Sequence, residues 1–218
     1  MKSAFGLSIP QTLEEVCEPQ RIALLVYDMQ VGILSQIKNG DQITRQVLKV
    51  LTAAREAGVR VFFSRHLSLP KELMGVFQFH TAMAWQRVSS PEEVNPWFLR
   101  DSPGFQIVPE LTPLSTEGVF DKLTMSAFEG TWLDLALRDC CINAFVVVGV
   151  ATEIGIEPTV RHGADLGYIP VLVSDACGAG NEEAAKRSLE NVKFMGDAIV
   201  TDTETICANF ATAKSRIP

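Results

Sequence analysis

The sequence predicts an α/β protein in which helices cover both faces of a parallel sheet. Six short apolar segments are spread along the 218 residues, and most of the segments between them have helical spacing. Polar residues or glycines follow the apolar segments, as expected where buried strands end. With 47% apolar and 21% charged residues, the chain has the composition of an ordinary globular protein, and we expect one domain over residues 1–218.

The first part of the chain predicts an arm followed by one βαβ unit. Residues 1–20 contain two prolines, which favours an irregular arm with one helical turn. The apolar run 22–26 predicts a buried strand over 21–28, and Asp41 is expected to cap a helix that Gly58 ends. The next strand is predicted over 59–64. The apolar positions of the helix recur at a spacing near 3.6: Ile43, Val47, Leu48, Leu51 and Ala54.

Residues 65–117 interrupt this alternation. They combine many prolines with scattered aromatic residues, among them Trp85, Trp97 and Phe98. Such a segment is too apolar for a disordered linker, so we predict an ordered lid or interface segment.

The alternation resumes after this segment. Strands are predicted over 118–121, 144–148, 169–173 and 198–201, with helices after 131, from the turn 149–155 to about 167, over 181–192 and over 202–213. The stretch from Phe145 to Gly155 joins a buried strand to a helix through a glycine-containing turn. Because the first N–H groups of such a helix face the carboxyl edge of the sheet, this turn is a candidate binding site.

Composition excludes several classes of partner and cofactor. A net charge of −7 and the absence of a basic block argue against nucleic acid. No apolar run approaches the roughly 18 to 20 residues that span a bilayer, and the first residues lack a signal-peptide pattern, so we expect a cytoplasmic protein that does not bind membranes. The five cysteines and three histidines show no metal-ligand spacing, and no phosphate-loop motif occurs. We therefore expect free thiols, no metal site and no cofactor.

Two charged residues stand at predicted strand ends. Asp28 follows the first strand and Lys122 follows the strand at 118–121, where a carboxylate and an ammonium can form a proton-transfer pair. The alternatives are a turn cap for Asp28 and a surface position for Lys122. Arg65 and His66 follow the second strand and are candidates for binding a substrate carboxylate or carbonyl. Cys177 lies among glycines after a strand and is either a buried structural thiol or an exposed nucleophile.

Three motifs resemble one known family. They are Leu24–Gln30, Asp121-Lys122 with Ser126-Ala127-Phe128, and Val147–Glu153 with Thr159 beyond. In order and spacing these motifs are similar to those of the isochorismatase-like hydrolases, also called cysteine hydrolases, which include nicotinamidases and N-carbamoylsarcosine amidases.

The resemblance implies a Rossmann-like, three-layer α/β/α fold with a six-stranded parallel sheet. It also implies an Asp-Lys-Cys triad, with the first two members at Asp28 and Lys122, and a non-proline cis peptide at Val150-Ala151 that directs backbone N–H groups at a substrate oxygen. The position of the cysteine nucleophile corresponds to Gly155. Glycine also stands there in some isochorismatases, in which the aspartate protonates a vinyl ether and water adds.

These observations together predict a hydrolase that uses Asp28 and water in place of sulfur. Backbone groups at Val150, Ala151 and Gly155 are expected to hold an oxyanion, and Gln30, Arg65 and His66 to bind a small substrate that is anionic or amide-like. A homodimer or homotetramer is expected, because the arm and the 65–117 segment offer apolar surface. The alternatives are a non-catalytic ligand-binding homologue, or an amidase with a displaced nucleophile such as Cys177.

Overall fold

The computed structural model describes residues 1–214. The strands in this range are β1 (Lys2–Ala4), β2 (Leu7–Ile9), β3 (Ile22–Tyr27), β4 (Arg60–His66), β5 (Gly118–Lys122), β6 (Ala144–Val150), β7 (Ile169–Gly178) and β8 (Ile199–Thr201). The α-helices are α1 (Leu13–Val16), α2 (Val31–Leu34), α3 (Gly40–Glu56), α4 (Val76–Gln86), α5 (Leu133–Asp139), α6 (Glu157–Asp165), α7 (Glu182–Met195) and α8 (Thr203–Lys214). A π-helical turn, Thr152–Ile156, leads into α6.

Six strands form one parallel sheet in the order β5-β4-β3-β6-β7-β8. The predicted three-layer α/β fold is therefore confirmed. β3 lies in the middle of the sheet and all six of its residues are buried, which explains its continuous apolar sequence. The carboxyl ends of β3, β4 and β6 consequently meet at one edge.

Alternate residues of the strands pack on opposite faces. On one face Leu24 and Val26 pack in a cluster with residues of α3 and α8. On the other face Leu25 and Tyr27 pack with residues of α5, α6 and α7. Tyr27, the last residue of β3, therefore points towards the helix that follows the turn after β6.

Three local predictions were wrong. The arm contains an antiparallel hairpin of β1 and β2 before the helical turn α1, a pairing that three-residue strands do not reveal by periodicity. The residue that precedes α3 is Asn39, so Asp41 lies in the first helical turn instead of capping it. β7 extends to Gly178 because a bulge opposite β6 lets pairing resume at Cys177.

The 65–117 segment is ordered and lies over the carboxyl edge of the sheet. It contains α4 and short 3-10 turns at Lys71–Leu73, Pro91–Glu93, Pro103–Phe105 and Pro109–Leu111. It returns to the end of β3 through hydrogen bonds from the Val31 N–H to the Gln106 carbonyl (2.9 Å) and from the Val108 N–H to the Met29 carbonyl (3.0 Å). The segment thus covers an edge of its own sheet.

Among residues 1–214, no helix has the length and apolarity needed to cross a membrane.

Candidate active site

Asp28 and Lys122 meet at the carboxyl edge of the sheet although β4 separates their strands. The Lys122 ammonium donates to Asp28 Oδ2 at 2.7 Å and to the Thr124 carbonyl at 3.1 Å. Ser64, on the intervening strand, donates its hydroxyl to Asp28 Oδ1 at 2.6 Å. Asp28 has a φ of 49°, in the left-handed region that aspartate tolerates better than most residues. The backbone thus leaves β3 sharply at the residue whose carboxylate is held by two donors.

The Asp28–Lys122 pair is buried. The side chains are 6% and 0% exposed. Burial lowers the pKa of Lys122, and the neighbouring Asp28 charge opposes that shift. A lysine under these opposing influences can stabilise the carboxylate and can also give up a proton more readily than a solvated lysine.

The turn after β6 carries the predicted cis peptide between Val150 and Ala151. Gly149 precedes it with a φ of 129°, and a Cβ at this position would lie 2.9 Å from the backbone N and C atoms of Tyr27. Only glycine fits this close approach of β6 to β3. The turn is therefore held directly against the end of β3, beside Asp28.

The Gly155 amide was predicted as an oxyanion donor, and this prediction was wrong. Its N–H donates to the Ala151 carbonyl at 3.0 Å, as does the Ile156 N–H at 3.2 Å. Both N–H groups are therefore engaged in hydrogen bonds within the π-helical turn and are not free to bind an oxyanion. Of the three predicted backbone donors, Val150 and Ala151 remain candidates.

A pocket of about 480 Å³ opens above Asp28. Its floor includes Asp28, Tyr27 and five residues of the turn after β6: Val150, Ala151, Glu153, Ile154 and Gly155. The 65–117 segment supplies an aromatic wall. Further apolar surface comes from Met125, from Ile33 of α2 and from Ile37. The aromatic residues of the wall are Trp85, Trp97 and Phe98. The 65–117 segment thus forms one wall of this pocket.

The charged residues that line the pocket are acidic. They are Asp28 and Glu153, and no lysine or arginine lines it within residues 1–214. His66 also lines the pocket and packs edge-on against Phe98, with ring centroids 6.0 Å apart. Burial, with a smaller contribution from the Lys122 charge, lowers the pKa of His66 to about 4, so its imidazole is neutral at neutral pH. The pocket therefore offers no cation to an anionic ligand.

Two of the three predicted substrate-binding residues are engaged elsewhere. The Gln30 side chain is completely buried; it donates to the carbonyls of Phe105 (2.9 Å) and His66 (3.1 Å) and accepts from the His66 N–H (2.6 Å). The Arg65 guanidinium is bound to Asp121 at 2.8 Å and lies over the Phe105 ring. These side chains connect the ends of β3, β4 and β5 to the 65–117 segment. Only His66 faces the pocket.

The remaining thiol and imidazole candidates lie outside the pocket. Cys177 is buried inside β7 with its Sγ 3.7 Å from the Val147 carbonyl, and burial raises the pKa of its thiol. A protonated, enclosed thiol is a poor nucleophile. His162 packs against Phe128 and shares a 2.9 Å hydrogen bond with the Ser126 hydroxyl.

Sequence reasoning missed Tyr27, Ser64 and Glu153. Tyr27 and Glu153 line the pocket, and Ser64 holds Asp28. Ser64 could have been predicted from the sequence, because it lies near the carboxyl end of the strand next to β3. Within the described residues, no group of three or more His, Cys, Asp or Glu side chains is arranged to hold a metal ion.

Comparison with known proteins identifies the family of this chain. A family model described as the isochorismatase domain matches residues 22–205. The ureidoacrylate amidohydrolase RutB of Acinetobacter baylyi is 30% identical over 209 residues, covering 88% of this chain and 84% of that protein. The RutB of Serratia proteamaculans is 28% identical over 228 residues, covering 96% and 91%.

A solved structure described as a cysteine hydrolase, from Pseudomonas syringae pv. phaseolicola 1448A, has the same fold. Its TM-score is 0.79 at 25% identity, and the match covers 91% of this chain and 96% of that chain. Since the family model spans most of the chain and encloses Asp28, Lys122 and the turn after β6, the protein belongs to the isochorismatase family of hydrolases.

Proposed function

We propose that the protein hydrolyses a small molecule with Asp28 as the acid/base group and water as the nucleophile. One observation supports this most directly: the pocket has the Asp28 carboxylate at its floor and Gly155 beside it, and no cysteine lines it within the described residues. Sulfur chemistry needs a thiolate in contact with the substrate. The proposal therefore assigns to water the role that a cysteine has in the amidases of the family.

The geometry supports a specific division of roles. Asp28 accepts hydrogen bonds from Lys122 and Ser64, which hold its carboxylate in a fixed position as the base towards water. As the water oxygen attacks the substrate carbon, Asp28 takes its proton, and that proton then passes to the leaving group. Lys122 stabilises the carboxylate throughout, and the amides of Val150 and Ala151 are the proposed donors to the developing oxyanion.

The pocket supports an uncharged or cationic substrate over an anionic one. Its lining carries Asp28, Glu153 and a neutral His66, while Arg65 is held by Asp121. The expectation of an anionic substrate loses its basis, and the amide-like alternative is retained. The RutB relatives carry the name of an amidohydrolase, so amides and ureides with an aromatic or aliphatic group are the first class to assay.

The test is a hydrolysis screen of such amides with intact-protein mass spectrometry during turnover. Water-based chemistry predicts product formation while the protein mass stays unchanged. A transient adduct that maps to a cysteine would contradict the proposal. Ligands that raise the melting temperature but are recovered unchanged would instead support a non-catalytic binding protein.

Self-association stays a prediction. Phe5 at the tip of the β1–β2 hairpin and Val76 and Phe77 on α4 are largely exposed, as expected for surfaces that meet another copy. Light scattering on the purified chain would distinguish a monomer from a dimer or tetramer.

A further inference from the structure

The Tyr27 side chain occupies the space that any side chain at residue 155 would need. A Cβ built on Gly155 would lie 2.5 Å from Tyr27 Cζ and 2.6 Å from Cε1, and closer still to the phenol oxygen. Real Cβ atoms do not approach other heavy atoms this closely, and even alanine would collide with the ring. The steric conflict therefore begins at the first side-chain atom.

Backbone conformation does not explain the glycine. Gly155 lies inside the helical turn Thr152–Ile156 and is not among the residues with positive φ. An L-residue could adopt this backbone, and alanine is ordinarily preferred to glycine in a helix. The requirement for glycine at 155 thus comes from Tyr27.

Tyr27 is held in its position against Gly155. It ends the central strand β3 and is 1% exposed. Its hydroxyl donates to the Met125 carbonyl, and the Lys122 ammonium lies 4.4 Å from the centre of its ring. A side chain at 155 would have to displace a residue that the sheet and these two partners hold in place.

We propose that Tyr27 and Gly155 form a reciprocal pair, in which the phenol replaces the side chain of residue 155 and supplies the polar group of that part of the pocket. Tyr27 thereby excludes a nucleophilic side chain at 155. The steric part of this proposal is independent of the proposed function. The chemical part, that the phenol oxygen contacts the ligand, deepens the proposed function and rests on it.

The phenol oxygen is a hydrogen-bond acceptor for the pocket. Its proton is directed at the Met125 carbonyl, and the Thr159 hydroxyl contacts the same oxygen, which leaves one lone pair for a ligand. Burial and the adjacent Asp28 charge raise the pKa of Tyr27 well above its usual value, so the phenol stays protonated. A neutral acceptor at this point suits an N–H or O–H of the substrate, which matches an amide.

A thermal-stability cycle tests the steric part. Gly155→Ala is expected to lower the Tm by about 5 °C or more, or to prevent folding, because alanine overpacks against Tyr27. In the Tyr27→Val background, or in Tyr27→Leu if the valine variant is too unstable, the same Gly155→Ala change should leave the Tm unchanged or raise it. Gly75→Ala, where a Cβ meets nothing within 4 Å, is the control. An equal effect of Gly155→Ala in both backgrounds would overturn the pairing.

Thiol labelling gives a second readout. Gly155→Cys combined with Tyr27→Val should yield a folded protein in which peptide mapping finds residue 155 alkylated by iodoacetamide. With Tyr27 retained, Gly155→Cys should give little folded protein. Folded, labelled protein in both backgrounds would show that Tyr27 does not exclude a side chain at 155.

Ligand binding tests the acceptor role without any turnover. Benzamide, a neutral aromatic amide with N–H donors, is expected to bind about tenfold more weakly to Tyr27→Phe than to the unmodified protein, a loss of about 1.4 kcal/mol. N,N-dimethylbenzamide, which has no N–H, should bind both equally. Equal loss for the two ligands, or no benzamide binding to the unmodified protein, would overturn the acceptor role while leaving the steric cycle and the hydrolysis screen to be judged separately.

Discussion

The Lys122 ammonium lies 2.7 Å from Asp28 Oδ2, and the two side chains are almost completely enclosed by protein. An enclosed pair of this kind stabilises the fold only while both partners are present, because each charge alone would be buried without compensation. The same enclosure places the Asp28 carboxylate at the floor of the pocket. Stability and chemistry at this site therefore depend on the same two groups.

Removing one partner of the pair should be costly. Lys122→Met is expected to lower the free energy of unfolding by about 3–5 kcal/mol, because Asp28 loses its counter-charge in a buried place. Urea unfolding monitored by circular dichroism measures the change. Lys186→Met, which breaks the exposed pair with Glu190, should change stability by less than about 1 kcal/mol. Comparable losses in the two variants would contradict this account of the buried pair.

His66 should make stability depend on pH. Its pKa is lowered from 6.5 to about 4, so between these values the unfolded chain binds a proton that the folded protein does not. Stability from this group is complete above pH 6.5 and is lost as the pH falls towards 4, by about 3 kcal/mol in total. Unfolding free energies at several pH values should show a shallower slope for His66→Gln than for the exposed-site control His80→Gln. Parallel slopes would refute the assignment to His66.

The acidic lining should discriminate between ligands by charge. Benzoate is expected to bind at least about tenfold more weakly than benzamide, because Glu153 repels a carboxylate, Lys122 is already paired with Asp28, and no cation lines the described pocket. Calorimetric titration gives both affinities. Glu153→Gln, which keeps an acceptor for the Asn181 N–H, should reduce the difference between the benzamide and benzoate affinities. Benzoate binding as tight as benzamide binding would contradict the proposed substrate class.

Cys177 should be inert in the native protein. Its thiol is buried and its pKa is raised, so iodoacetamide at neutral pH should leave it unmodified while the exposed Cys141 reacts. Peptide mass spectrometry after native labelling separates the two sites. Rapid labelling of Cys177 together with loss of hydrolysis would instead support the displaced-nucleophile alternative.

The parallel sheet was predictable because its central strands are buried on both faces. The runs 22–26 and 145–148 consist only of apolar residues, and each ends at a residue that changes the chain direction. The contact between Asp28 and Lys122 was predictable by the same logic, since carboxyl ends of parallel strands share one edge. The hairpin of β1 and β2 lacks this signal, because its strands have only three residues each, are mostly exposed and show no apolar periodicity.

The partners of the site residues could not be read from the sequence. Gln30 and Arg65 stand at strand ends as binding residues would, but Phe105 and Asp121 engage them from segments that are remote along the chain. The apolar run marks Tyr27 only as a strand residue, whereas the fold places its side chain against Gly155. Periodicity locates a strand and its faces, whereas the contacts across a face depend on how closely the helices approach.

The central claim is that Asp28 performs the chemistry with water. The most direct test is kcat/KM of Asp28→Asn on a substrate from the amide screen, with Asp41→Asn on the exposed part of α3 as the control. The account predicts a loss of about 10³-fold or more for Asp28→Asn, because the amide cannot take a proton from water, and no change for Asp41→Asn. Undiminished kcat/KM in a folded Asp28→Asn protein would contradict it.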